Sequence, residues 1–331
     1  MRIIRKYLKK FILFIFIILL FYFVFHDNEK EILEMLLEIS HFDIVFLLFM
    51  SIGNVFWEAL SYWSVLSESN YPVSIYQAVE ITLTGIFASI STSSIGTIPS
   101  QCLVMAKMKV NPGFSIGSLI FACIFYKMGI WIVSIFLFGF EWNWLKENIG
   151  SVYFYIQISF FIGFLLIFGL VLLSSSKWIQ NKLLWILDKL PPKWKKQKEK
   201  MTMYIQNLYD YSKFILRNYK IEIRTTCIQI IRILWKGMMI YMCMNILDIN
   251  VSFFKILMLA FFLYMISGIL PKIAGLGPVE VSFLALFCPL TGQIPARSSL
   301  LLFRIFDYFL PFLFSSLFIC FILEKGERCE N

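Results

Sequence analysis

Charge is scarce in this chain. Only 15% of its 331 residues are Asp, Glu, Lys or Arg, against 59% apolar, whereas about a quarter of an ordinary soluble domain is charged. That balance excludes a water-soluble globular enzyme. Histidine is nearly absent: His26 and His41 stand apart in a polar stretch, with no HExxH. The seven cysteines (Cys102, Cys123, Cys227, Cys243, Cys288, Cys320 and Cys329) are dispersed without a CxxC pair, and a lone Cys in an apolar run behaves as a small hydrophobe. No metal site or other cofactor site is expected. A small-residue cleavage site is also missing before His26, so the apolar run 11–25 is expected to stay as a first helix rather than leave as a signal peptide.

What is present is long hydrophobic runs. Residues 11–25, 44–59, 116–140 and 152–173 are near or above the roughly 20 residues that cross hydrocarbon as a helix. The 36 phenylalanines fit a composition bias better than an aromatic binding device. The net charge of +9 gathers at the N-terminus (Arg2, Arg5, Lys6, Lys9, Lys10) and in segment 176–220, with Lys193, Lys195, Lys196, Lys198 and Lys200. Nucleic acid is one reading of such a run; a cytoplasmic loop obeying the positive-inside bias is the simpler one. The fold class expected is all-α: one membrane domain over 1–331 with about eight transmembrane helices, both termini cytoplasmic, and a basic loop at 176–220.

Two segments, 74–131 and 252–308, are weak copies. Gly96 aligns with Gly275, Pro99 with Pro278, Gln101 with Glu280 and Lys127 with Arg304, and Gly277 adds a further break. Glycine and proline interrupt a helix by different means, freedom in φ and a missing donor. In hydrocarbon the freed backbone groups are tolerated only inside protein or beside a wet cavity. Each copy is therefore read as a broken, re-entrant hairpin, with a short helix starting after its proline. Three crossings separate the copies, so the repeats (about 43–140 and 221–323) should be inverted, the arrangement that places a transporter's site near the midplane. A kinked helix or a close helix contact is the structural alternative.

Ionisable residues inside the runs point the same way, since each costs at least ~2.5–3.5 kcal/mol to insert at mid-bilayer. Lys127 has no acidic residue at three or four positions' remove, whereas Arg304 has Asp307 at i+3. Gln229, Arg232 and Lys236 form one stripe. Glu58, Glu80 and Glu280 supply the counter-charge, Glu280 chiefly as a helix cap. The count leaves more positive than negative charge, which favours an anionic substrate. Lys127, Arg304, Arg232, Lys236, Glu280, Gln101 and Lys272 are the candidate binding residues, and none is a candidate catalytic residue.

The turn Pro271…Gly275-Leu276-Gly277-Pro278-Val279-Glu280, followed by Ala296 and Leu302-Phe303-Arg304…Tyr308…Pro311, resembles the lysylphosphatidylglycerol synthase transmembrane-region family, a flippase-like membrane domain. Gly85-Ile86-Phe87, Gly96 and Pro99 form a weaker version. The resemblance implies a multi-pass protein of the cytoplasmic membrane that moves an anionic phospholipid or lipid-linked molecule between leaflets. It also implies two alternatives. One is a phosphatidylglycerol lysyltransferase serving lipid modification and cationic peptide resistance, although a transferase domain is not expected within this sequence. The other is an accessory subunit for a membrane enzyme, a lipid-linked glycosyltransferase.

Overall fold

The computed structural model describes residues 34, 36–69, 71–92, 95–189, 195–270 and 276–330. The expected first helix, Lys272 and Gly275 lie outside them. The described residues are helical throughout: α1 (His41–Leu66), α2 (Ile75–Ser91), α3 (Thr97–Lys107), α4 (Pro112–Phe140), α5 (Trp142–Asn148), α6 (Gly150–Ser175), α7 (Lys177–Asp188), α8 (Lys195–Arg217), α9 (Tyr219–Ile246), α10 (Phe253–Ser267), α11 (Pro278–Thr291), α12 (Gln293–Arg304) and α13 (Leu310–Glu330), with a π-helical turn at Ile305–Phe309 joining the last two. Among the described residues, five segments are long and apolar enough to cross a membrane: α1, α4, Val152–Leu172 in α6, α9, and Gln293–Cys320 across the π turn. This is a polytopic membrane protein.

The remaining apolar helices are short. At 17 and 11 residues, α2 and α3 extend about 25 and 16 Å, less than the hydrocarbon thickness of ~30 Å. They form the first hairpin, whose two ends meet. Val73 before α2 and Val110 after α3 share one apolar cluster with Leu66, Ile81, Met105 and Leu119. Ser74 starts α2 by accepting from Gln77 N, and Gln77 returns a bond to Ser74 N, which closes two of the open amides of the first turn. Asn111 then caps α4 by accepting from Gly113 N. The first hairpin thus enters and leaves beside the start of α4.

The second hairpin, α10 and α11, enters from the other end. Lys255 in the first turn of α10 pairs with Glu141, the C-cap of α4. The hairpin's turn reaches the middle of α4, where Lys127 Nζ donates to Gly268 O at 3.1 Å. Two hairpins entering at opposite ends of one spanning helix is the inverted arrangement expected from the odd number of crossings between the copies.

Uniform hydrophobicity leads to two opposite outcomes. The helix α10, Phe-Phe-Lys-Ile-Leu-Met-Leu-Ala-Phe-Phe-Leu-Tyr-Met-Ile-Ser, is buried on all sides from Met258 to Met265 and forms the centre of the main core. The equally apolar α6 exposes Phe154, Phe161, Phe164, Leu165 and Phe168, as a lipid-facing helix does. It packs antiparallel to α4, with Trp131 Nε1 donating to Phe160 O and Phe138 stacked on Tyr153.

The basic segment 176–220 corrects an expectation. It is not a loop but carries α7 and α8. Tyr211 and Ile215 of α8 are fully buried among Val65, Phe121, Ala122, Ile124, Phe125 and Ile221. The approach depends on Gly113 and Gly117, where an added Cβ would stand 1.9 Å from Asn207 Cβ and 2.6 Å from Tyr211 Cδ1. Asn207 also donates to Asn111, and Tyr211 to Val65 O.

Candidate functional site

The stripe on α9 faces α1 and the π turn, and it is fully partnered where it carries charge. Arg232 donates to Glu58 at 2.6 Å and to Asn54 Oδ1 at 3.3 Å. Asn54 Nδ2 in turn donates to Asp307 Oδ1 at 3.1 Å, and Lys236 Nζ lies 2.7 Å from the same oxygen. The π turn places Asp307 there, and its Phe306 carbonyl accepts from Ser51 at 2.6 Å. An extra residue per turn rotates the carboxylate away from the helix line that Arg304 occupies, a common use of such turns at functional sites.

Arg304 begins a second link. Its Nε donates to Glu280 Oε1 at 2.6 Å and its Nη2 group reaches the same oxygen, while Asp307 stands off at 4.0 Å. The i+3 carboxylate noted in the sequence is therefore the more distant of the two. Glu280 Oε2 accepts from Gly277 N at 2.7 Å, so one carboxylate both caps α11, as expected, and neutralises the arginine. Gly277 has φ +97° and ψ −67°, a backbone state that only glycine adopts without strain. Together these contacts join Gly277, Glu280, Arg304, Asp307, Lys236, Asn54, Arg232 and Glu58 into one polar seam across α11, α12, the π turn, α9 and α1.

Within the seam the charges balance, so the expected excess of positive charge does not lie there. Arg232, Lys236 and Arg304 meet Glu58, Asp307 and Glu280, three of each sign. A buried charge without a partner costs several kcal/mol, which explains why the seam supplies a carboxylate for each of its cations. Asn54 is the residue sequence reasoning missed. Its signal was a lone amide in the apolar run Ile44–Ala59, and it is 4% exposed.

Lys127 stands outside the seam. Midway along the 29-residue α4, it has no carboxylate within 4.0 Å among the described residues; its partner is the Gly268 carbonyl at the C-terminal end of α10. An ammonium there meets the negative end of a helix. Lys127 lines a pocket of about 30 Å³ between α4, α6 and α10, with Tyr126, Trp131, Gly163, Tyr264 and Gly268 among its walls. Two of those walls also border the seam: Arg232 lies over the Tyr126 ring at 5.7 Å and Lys236 over the Tyr264 ring at 5.1 Å. The Tyr264 hydroxyl and Gln229 Oε1 are buried with no hydrogen-bond partner among the described residues.

The repeat partners are thus placed unequally. Lys127 and Arg304, aligned in sequence, occupy different surroundings, a pocket and an ion pair. Gln101, the mate of Glu280, donates to Ile81 O within the first hairpin and to Tyr62 Oη of α1, and makes no bond to the seam. Pro99 differs as well: α3 starts at Thr97, two residues before it, with Gly96 at the N-cap, whereas α11 starts at Pro278. Proline fits the first turn because the amide it lacks has no partner there. The expected helix starting after each proline is therefore found only in modified form, and Gln101 lies too far along α3 to cap it.

A family model described as the lysylphosphatidylglycerol synthase TM region matches residues 10–315. No curated protein matches the chain, nor does any solved structure.

Proposed function

We propose that this chain, which belongs to the lysylphosphatidylglycerol synthase TM region family, is a translocase that carries an anionic phospholipid or lipid-linked molecule between the leaflets of a cell membrane. The observation that carries the reading is Lys127, a cation at mid-span whose partner is a backbone carbonyl at a pocket between α4, α6 and α10. An intramembrane lysine is expensive and is a functional residue by default. A phosphate or other anionic head group would supply the charge partner that Gly268 O cannot. The lipid tails would run along the exposed apolar face of α6, which borders the same pocket.

In this reading the seam has a mechanical role. It ties α1, α9, α12 and the second hairpin together as a charge-neutral block, and the first hairpin with α4 moves against that block. Arg304 has two carboxylates in reach, Glu280 bonded and Asp307 at 4.0 Å, so a small shift of α11 exchanges one partner for the other. The basic segment beside the start of α4 is assigned to the cytoplasmic side by the positive-inside bias. No aminoacyl transfer is assigned to these residues.

The test is reconstitution of the purified protein in liposomes carrying head-group-labelled lipids, anionic or zwitterionic, with chemical quenching from outside. Wild-type protein should speed the loss of protected signal for anionic lipid. Lys127→Met, which keeps the apolar stem and removes the charge, should abolish that gain while remaining folded and inserted. Equal rates with wild type, Lys127→Met and empty liposomes would refute the reading.

A further inference from the structure

The helix α7 contains a tandem repeat that the transport reading does not use: Trp178-Ile179-Gln180-Asn181-Lys182 and Trp185-Ile186-Leu187-Asp188-Lys189. The copies are seven residues apart, about two helical turns, so both tryptophans and both lysines share one face. Within each copy the lysine folds over the indole, Lys182 Nζ at 3.8 Å from the Trp178 ring and Lys189 Nζ at 3.4 Å from the Trp185 ring. That face is open: Trp178 is 64% exposed, Trp185 58% and Ile186 55%, and no residue of α7 is buried. The half-buried Gln180, Leu184 and Leu187 lie on the other side.

Its position supplies the occupant. Only Ser176 separates α7 from the end of α6 at Ser175, so α7 begins where a membrane-spanning helix stops. Tryptophan is favoured at that depth, where an apolar ring with one polar edge suits the boundary between acyl chains and head groups. A helix with indoles and lysines on one face lies in that plane. The charge is complementary to anionic lipid, since Lys177, Lys182 and Lys189 stand against Asp188 alone within 177–189.

We propose that α7 is a membrane-surface anchor whose Trp178/Lys182 and Trp185/Lys189 pairs bind the anionic head groups of the bilayer, a lipid contact separate from the Lys127 pocket. Each indole enters the acyl boundary, and the ammonium stacked on it faces a lipid phosphate. Because α7 leads into α8, which is wedged against α4, the anchor holds the start of α4 at a set depth.

The test uses the full chain with its native cysteines replaced and Ile186→Cys carrying a spin label, in phosphatidylcholine vesicles with and without phosphatidylglycerol. Collision with oxygen and with a water-soluble nickel complex reports depth. With phosphatidylglycerol the label should lie below the phosphates. Removing both charges (Lys182→Gln with Lys189→Gln) should shift the balance toward the water-exposed state by about fivefold per lysine, about 25-fold in all. Lys182→Arg with Lys189→Arg should preserve the depth. A label exposed to water in both vesicle types would overturn the proposal, pointing to a solvated or protein-docking face. Equal depth in both, unchanged by the glutamine pair, would overturn anionic recognition.

Discussion

Removing both members of the Glu280–Arg304 pair should destabilise the fold far less than the sum of the costs of removing each alone. The side chains are 5% and 3% exposed, so Arg304→Ala takes the cation from a carboxylate that water cannot reach, and Glu280→Ala takes from Arg304 its bonded carboxylate, leaving Asp307 at 4.0 Å. Breaking such a pair costs about 3–5 kcal/mol. Glu280→Ala also opens the cap at Gly277 N, worth about 1 kcal/mol, and therefore belongs at the upper end of that range. In Glu280→Ala/Arg304→Ala neither charge is stranded, and the coupling energy from the four-protein cycle should be at least about 2 kcal/mol. Glu280→Gln keeps an acceptor for Gly277 N but not the charge, so it should fall between wild type and Glu280→Ala. The assay is unfolding in mixed detergent micelles, followed by tryptophan fluorescence. Costs that add to within about 0.5 kcal/mol would show that the two residues do not act as a pair, and the seam would lose its central link.

At Gly277, alanine should cost about 1–3 kcal/mol although its Cβ meets nothing within 4 Å, because the backbone at φ +97° is what excludes it; the same unfolding assay reads this, and a neutral result would place the strain elsewhere. Burial holds the Tyr211 hydroxyl of α8 well above its ordinary pKa of 10.0. A phenol raised in the folded state contributes stability that is intact below the unfolded pKa and declines as the pH climbs beyond it, so α8 should loosen from α4 above about pH 10. Hydrogen exchange in α8 checks this, and Tyr211→Phe should remove that contribution to the pH dependence at a cost of about 1 kcal/mol for the bond to Val65 O. Loss of transport without loss of folding is the outcome expected of Lys127→Met, measured in the liposome assay.

The spans were legible because hydrocarbon demands length and apolarity and little else. The hairpins were legible because Gly and Pro mark broken helices, and because paired breaks separated by an odd number of crossings imply opposite entry. Burial was not: α6 and α10 have similar hydropathy, yet one faces outward and the other is the centre of the core, a choice made by their neighbours. The Glu280–Arg304 pair spans 24 residues and is brought together by α11 and α12 running antiparallel from Gly292, a relation no local spacing encodes. Asp307 was visible as an i+3 neighbour of Arg304, but the π turn redirects it to Lys236 and Asn54. Segment 176–220 was misread as a loop because its lysines dominate the composition. Tyr211 and Ile215, four residues apart, and the W-I-x-x-K pair in α7 were the helical signals within it.

The seam and the Lys127 pocket have meaning for transport only if the two hairpins enter from opposite faces of the membrane. In a cysteine-free background, Lys107→Cys marks the exit of the first hairpin and Asn250→Cys the approach to the second. Labelling intact vesicles with a membrane-impermeant maleimide, before and after permeabilisation, reads their sides directly. One position should react before permeabilisation and the other only after it. Reaction of both from the same side would contradict the inverted arrangement, and alternating access through it.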